Sequence, residues 1–427
     1  MDIFFVCCWR PNYTLHQVSK RDEHILQNSV FKKEQISQIL LLLQSPTINV
    51  LQIIDKSFPG GGQKHVCWLS RELSRYPFLR VMIATSPGGE MWKEFQKVAE
   101  RVFPTAMSSL VSPLALVRLI NILSKNEIHV VHTHGGVAGL WGRIAAWLTG
   151  IPVVVHTLHG VHYVHYQNPI TRGMGIFLER LLSKITFKII FVSDSNKQLA
   201  DRLRLVPPEK AIVIKNAVEI PPSINGVSNI PSDFLSYIEK KGTDKIYIGC
   251  IARFDPVKGH EFLIKAFSQL TPRYPQIELF LVGDGKEEEH IRALTKKLGL
   301  MERVHFLGYQ QNIYPILGTM DIIVQPSLWE GLSLTLLEAM GMGRAIVATE
   351  TEGNTDLLED GKTALLVPPK DIEALAQAME KLVVSQEMRQ QIGNAAREYF
   401  RATNNLADMS KKVLNLYLEG LEELAKS

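Results

Sequence analysis

Short runs rich in Val and Ile recur along most of this chain, each followed by an amphipathic helical stretch. The first series is NVLQII (49–54), RVMIAT (80–85), IHVVHT (128–133), IPVVVHT (151–157) and KIIFVS (188–193). The second is KIYIGCIA (245–252), IELFLVG (277–283), RVHFLG (303–308), DIIVQP (321–326) and AIVAT (345–349). Most do not alternate polar with apolar residues, as expected for strands buried on both faces of a parallel sheet. The helices between them make βαβ units. Between the two series, Pro, Gly, Ser and Asn crowd VPPEK (206–210), IPPSINGVSNIPSD (220–233) and KKGTD (240–244). That composition reads as a linker. The expected fold is α/β, two doubly wound Rossmann-like domains meeting at a hinge near 217–243. A length of 427 residues fits, since single cores rarely grow past ~250–300 residues. Ligands in such sheets sit beyond the carboxyl ends of the strands, so the cleft between the domains is the expected site.

Composition narrows the class. The chain is 46% hydrophobic and 21% charged, ordinary for a globular protein. Four cysteines, Cys7, Cys8, Cys67 and Cys250, are too few and too scattered for a disulfide framework or a zinc site. No run approaches the ~18 apolar residues that span a bilayer, and MDIFFVCCWRPNY lacks the basic start of a signal peptide. A cytoplasmic location is expected. Residues 1–240 carry 26 basic against 17 acidic side chains, and the rest carry 21 against 26. That asymmetry fits a first half facing an anionic membrane or phosphate-bearing substrate, and equally a solubilising surface. No nucleic-acid partner is expected. Residues 1–47 hold only a short helical pattern, EQISQILLLLQ, and read as a peripheral extension.

Several loops carry chemistry. SFPGGGQKHV (57–66) follows the first strand; its glycines, Gly61 and Gly62 among them, allow close backbone approach, and a helix start offers N–H groups to an anion. The spacing is neither a Walker A loop nor GxGxxG, and a tight structural turn explains it nearly as well. In IARFDPVKGHEF, Arg253 and Lys258 put a bidentate cation and a point charge at one strand-to-helix loop, a pairing suited to a diphosphate, although the stretch taken alone reads as two solvated surface cations. In FLVGDGKEEEHI, Gly283 reads first as an ordinary turn glycine. Seven of thirteen histidines fall within 129–165. His132-x-His134 resembles a metal pair, yet no Asp, Glu or Cys accompanies it in either histidine run. His159, ending a strand in TLHG, is the best placed to meet a substrate oxygen; packing or surface roles are expected for the others.

QPSLWEGLSLTLLEAMG (325–341) is strongly apolar yet holds Glu330 and Glu338. It reads as a strand exit followed by a helix capped near Ser333 and stopped at Gly341 or Gly343. Glu330 then sits at the mouth and Glu338 inside. The N–H groups of Gly331, Leu332 and Ser333 at the helix start can hold phosphate. A carboxylate below them suits a ribose diol; an N-terminal acid favouring the helix dipole and a buried acid paired with a lysine remain the alternative.

In order, GGGQKHV, TLHG, VSDS (192–195), IKNAVE (214–219), ARFDPVKGH, VGDG, FLGYQQNI (306–313) and E330-G-L-S-L-T-L-L-E338 resemble the motifs of family 4 nucleotide-sugar glycosyltransferases. The likeness runs over about residues 49–400. It implies the GT-B fold: residues 48–220 as an acceptor-binding Rossmann-like domain, 221–400 as a donor-binding one, and 401–427 as a helix crossing back. It implies retention of anomeric configuration without a metal or other cofactor. Arg253 and Lys258 would clamp the donor diphosphate and Glu338 the ribose. Glu330 with Gly331, Leu332 and Ser333 would hold sugar and phosphates. Gly61, Gly62 and Gly283 would lie against the donor, and His159 near the reaction centre. The family often has Phe-Gly where this chain has Gly331-Leu332. The partners implied are a nucleoside-diphosphate sugar, expected to be a UDP-sugar, and a saccharide or polyprenyl-diphosphate-linked acceptor. Peripheral membrane contact through RGMGIFLERLLSKITFK (172–188) is expected if that helix is not a core helix. A soluble-acceptor transferase, a sugar-nucleotide epimerase and a silent nucleotide-sugar-binding protein remain alternatives, as does a metal hydrolase built on the histidines.

Overall fold

The computed structural model describes residues 33–107, 112–166, 168–221, 234, 237 and 244–426. Most of the linker, and residues 1–32 of the N-terminal extension, lie outside the described residues. Two all-parallel sheets organise the rest. The first runs β3-β2-β1-β4-β5-β6-β7. Its strands are β1 (Ile48–Ile54), β2 (Leu79–Thr85), β3 (Arg101–Pro104), β4 (Val130–His134), β5 (Val153–Leu158), β6 (Lys188–Phe191) and β7 (Ala211–Val213). The second runs β10-β9-β8-β11-β12-β13. Its strands are β8 (Ile246–Ile251), β9 (Ile277–Val282), β10 (Val304–Phe306), β11 (Ile322–Gln325), β12 (Ala345–Thr349) and β13 (Leu365–Val367).

All ten strands expected from the apolar runs form, and most are buried on both faces. Every residue of β1 is buried, which is why its sequence lacks alternation. The strands not anticipated, β3, β7 and β13, are three or four residues long and extend the sheet edges. Such short segments carry no readable period.

The helices that position the site are α1 (Gly61–Leu73), α2 (Gly136–Leu148), α3 (Pro169–Lys184), α4 (Asp194–Arg202), α5 (His260–Leu270), α6 (Leu334–Gly341) and α7 (Leu406–Lys426). The final helix, α7, returns to the first sheet. Its Met409, Val413, Leu414, Tyr417, Leu418 and Leu421 join the core over Val50, Val81, Val130 and Val153. Ile36 and Ile39 from the helix Lys33–Leu42 are buried in the same cluster.

Strand order locates the working face. Within each sheet the order reverses between two neighbours, β1 and β4 in the first and β8 and β11 in the second. At such a switch point the following loops diverge to opposite sides and leave a crevice beyond the carboxyl ends. The glycine loop follows β1, Arg253 and Lys258 follow β8, and Glu330 follows β11. Three chemistry-bearing stretches therefore occupy switch points by topology alone.

Candidate active site

The loop after β8 turns through Pro256–Lys258, where Asp255 accepts from the Val257 N–H at 3.3 Å. Gly259 then adopts φ +70°, and a Cβ there would lie 2.0 Å from the Pro326 carbonyl oxygen. Glycine is needed on both counts. This close approach brings Lys258 beside the loop that leaves β11. Its Nζ donates to Glu330 Oε1 at 2.6 Å.

Glu330 does not sit at the mouth, as expected, but is buried, 9% exposed. The same oxygen accepts from Gln325 Nε2 at 2.9 Å and Ser327 Oγ at 2.7 Å. A carboxylate so far from water requires such donors. The strand exit supplies two of them and the β8 loop the third.

Helix α6 starts as expected: Ser333 caps it by accepting from the Leu336 N–H at 3.3 Å. The Ser333 hydroxyl is therefore engaged in the cap. The Leu332 side chain packs in the core with Leu336, Met340 and Ile346, so what Leu332 offers a ligand is its backbone.

Glu338 lies inside α6 and is 1% exposed. Its Oε1 receives Lys64 Nζ from α1 at 3.1 Å, and the Tyr314 hydroxyl, which donates to the Glu219 carbonyl at 2.5 Å, lies 3.4 Å away. Burial pushes the Glu338 carboxyl above its ordinary range, against the opposing pull of Lys64 and Tyr314. Lys64, Trp68, Met91, Tyr309, Tyr314 and Glu338 line a cavity of about 430 Å³.

The glycine loop sits where the two halves meet. A Cβ on Gly61 would lie 3.6 Å from Leu334 of α6, and one on Gly62 would lie 3.4 Å from the His159 ring. On the other side, a Cβ on Gly331 would lie 1.8 Å from the His159 carbonyl oxygen, and one on Gly160 would lie 3.3 Å from the Gly331 Cα. The two backbones touch only because both residues are glycine. Asn196 of α4 closes the seam, donating Nδ2 to the Gly331 carbonyl at 3.1 Å. Next to it, Ser195 donates its N–H and Oγ–H to the two oxygens of Asp356, at 2.8 and 2.6 Å.

Arg253 is exposed. With Lys56 it opposes the upward push of burial on the Asp55 carboxyl at the end of β1. Gly283 turns out to be required by packing: at φ +139° its Cβ would lie 2.1 Å from the Ala252 carbonyl oxygen. It shapes the loop carrying Arg253 from behind. Of the residues anticipated, Gly61, Gly62, His159 and Gly331 meet along one seam beside the capped start of α6, Glu330 pairs with Lys258 and Glu338 with Lys64, and Arg253 lies near enough to Asp55 to act on its carboxyl.

Sequence reasoning missed Lys64, Tyr314, Asn196 and the partners of His159. His132 and His134 are not isolated packing residues: the rings of His65, His134 and His159 form a cluster with centroids 5.0–5.7 Å apart. The i, i+2 spacing of His132 and His134 on a strand was the available signal, since it puts both on one face. Among the described residues, no group of three or more His, Cys, Asp or Glu is placed to hold a metal ion.

Two family models match the chain in turn. "Glycosyltransferase Family 4" matches residues 59–220 and "Glycosyl transferases group 1" matches residues 233–399. The chain belongs to the family 4 glycosyltransferases. Among curated relatives of this glycosyltransferase is the UDP-Gal:alpha-D-GlcNAc-diphosphoundecaprenol alpha-1,3-galactosyltransferase of Escherichia coli. It is 27% identical over 71% of this chain and 79% of the relative. Alpha-D-kanosaminyltransferase of Streptomyces kanamyceticus is 25% identical over 68% and 77%. The crystal structure of Anabaena HepE in complex with UDP and glucose superposes with a TM-score of 0.73 at 19% identity, covering 86% of this chain and 98% of that one. The fold is GT-B, two Rossmann-like domains facing each other.

Proposed function

We propose that this glycosyltransferase moves a hexosyl group from a UDP-sugar to a polyprenyl-diphosphate-linked saccharide, with retention of anomeric configuration and without a metal. The observation that carries the donor reading is the pair of buried carboxylates flanking the start of α6, each held by a lysine. Glu338 accepts hydrogen bonds from the ribose hydroxyls in place of Lys64. Arg253 and Lys258 neutralise the diphosphate as it leaves, helped by the backbone at Gly331, Leu332 and Ser333. Glu330 acts through Lys258, holding its ammonium toward the phosphates. His159 touches the transferred sugar, with Gly61, Gly62 and Gly283 giving the donor room. The leaving phosphate oxygen takes the proton of the attacking hydroxyl on the same face of the sugar. Support for UDP and for a diphospholipid-linked acceptor comes from the relative that names both.

A panel of UDP-, GDP- and ADP-sugars tested by thermal shift and slow donor hydrolysis checks this. UDP-sugars are expected to stabilise the fold by ~2.7 kcal/mol at a hundred times Kd. Absence of binding by every nucleotide sugar removes the proposal at its first step.

The acceptor reading extends to the cytoplasmic face of a membrane through α3. Ile170, Met174, Phe177 and Leu181 are 50–73% exposed and recur at helical spacing, an apolar stripe beside Arg172 and Lys184. Arg180 instead binds the Leu203 and Arg204 carbonyls, and Lys188 pairs with Glu419. Sedimentation with anionic liposomes at low salt is expected, and to be lost in a Met174→Ser/Phe177→Ser double variant. Equal sedimentation of variant and wild type removes the membrane contact.

A further inference from the structure

A continuous chain of buried hydrogen bonds runs from α7 to His159. Gln52 Nε2 donates to the Tyr417 hydroxyl at 3.0 Å, and Gln52 Oε1 lies 2.7 Å from His134 Nε2. His134 Nδ1 lies 3.3 Å from His159 Nε2. On the other side of Tyr417, its hydroxyl meets His132 Nδ1 at 2.6 Å, and His132 Nε2 meets Thr157 Oγ1 at 2.7 Å. Gln52, His132, His134 and Tyr417 are at most 0% exposed, fully out of water.

A neutral imidazole has one donor and one acceptor nitrogen, so the chain can be polarised in only two ways. Its direction is set by the amide of Gln52, whose nitrogen meets Tyr417 and whose oxygen meets His134. A phenol is a stronger donor than an imidazole N–H, and an imidazole nitrogen a stronger acceptor than a phenol oxygen. The short Tyr417–His132 contact therefore runs from O–H to Nδ1. Tyr417 must then accept from Gln52, which turns the amide oxygen toward His134. His134 donates from Nε2, keeps its lone pair on Nδ1, and can only accept from His159.

Resting on the reading of His159 as a sugar contact, we propose that Gln52, His134 and Tyr417 are positioning residues that hold the His159 proton on Nε2. Nδ1 is then the ring's one acceptor, reserved for a hydroxyl of the transferred sugar. Burial keeps these rings neutral: His132 and His134 lie well below the usual imidazole range, and His159 is lowered to about 4. The neighbouring rings of His65 and His132 add to the penalty on a second charge at His134.

Tautomers of the full-length, unliganded protein can be read from two-bond ¹H–¹⁵N correlations of ¹⁵N-histidine, so this test does not depend on the donor or on His159 meeting a sugar. Wild type is expected to show His159 and His134 as Nε2–H tautomers. Tyr417→Phe, which removes one oxygen atom, frees the Gln52 amide to reverse and brings in the Nδ1–H form of both rings. With the UDP-sugar that binds, its kcat is expected to fall about tenfold while the donor KM stays within about twofold, the scale on which lost outer partners of a functional histidine act. Gln52→Glu keeps an acceptor opposite His134 and should retain the wild-type tautomer. An Nδ1–H His159 in wild type overturns the proposal, as does a Tyr417→Phe protein with unchanged tautomers.

Discussion

Glu338 shows what a single residue must satisfy. Its carboxylate is nearly inaccessible and its lysine partner is 31% exposed, so burial dominates and the carboxyl is raised. Folding therefore costs stability once the unfolded chain has released this proton. The cost is absent in acid, grows as pH rises through the ordinary carboxylate range, and is complete above the raised value. Glu338→Gln removes it. The variant's thermal midpoint should exceed the wild type's near pH 7, with the gap closing toward pH 4; a gap independent of pH contradicts this. A carboxyl raised by burial beside a specific charged partner is a common mark of a functional site. At residue scale the sequence was informative about identity and less so about environment. The eight-residue spacing of Glu330 and Glu338 and the Ser333 cap were legible. That Glu330 would be buried against Lys258, Gln325 and Ser327 was not, because that contact depends on Gly259 reaching the Pro326 carbonyl across two loops.

At the scale of elements, α2 and α3 are held by one buried pair. Arg143 of α2 grips both oxygens of Glu179 on α3 at 2.7 and 3.0 Å and spends its Nε on the Gly139 carbonyl. Arg143→Ala strands the Glu179 charge and is expected to cost ~3–5 kcal/mol in urea unfolding, whereas replacing both partners with apolar residues should recover most of it. A loss under about 1 kcal/mol would show that the pair contributes little. Fixing α3 this way leaves its other side, with Met174 and Phe177, turned to solvent. The sequence showed α3 as amphipathic but left its apolar side free to be core or surface. Strand prediction worked where an apolar run outlasted the strand itself, as RVHFLG does around the three-residue edge strand β10, and failed at β3, β7 and β13, whose three or four edge residues were not read as apolar strand runs.

Across the whole molecule, distant parts of the chain meet around one cleft. Gln52 on β1 and Tyr417 on α7 are 365 positions apart yet share a hydrogen bond. His134 reaches His159 because β4 and β5 pair in register, His134 against Thr157. No local pattern announces such partners, which is why His134 read as packing and Tyr417 went unnoticed. What was legible was topology: two strand series, their order of loops, and hence two facing switch points. In the proposed function that arrangement gives the two acids around the start of α6 their roles, Glu330 serving the lysine beside the phosphates and Glu338 the ribose. Calorimetric titration of UDP, together with turnover, against wild type, Glu338→Ala and Glu330→Gln tests this division most directly. Glu338→Ala is expected to weaken UDP binding ~10–100-fold, the ~1.5–3 kcal/mol of hydrogen bonds to a charged group. Glu330→Gln should bind UDP within about threefold of wild type while turning over far more slowly. Equal losses of UDP affinity in both variants, with turnover falling no further than binding, would contradict the account.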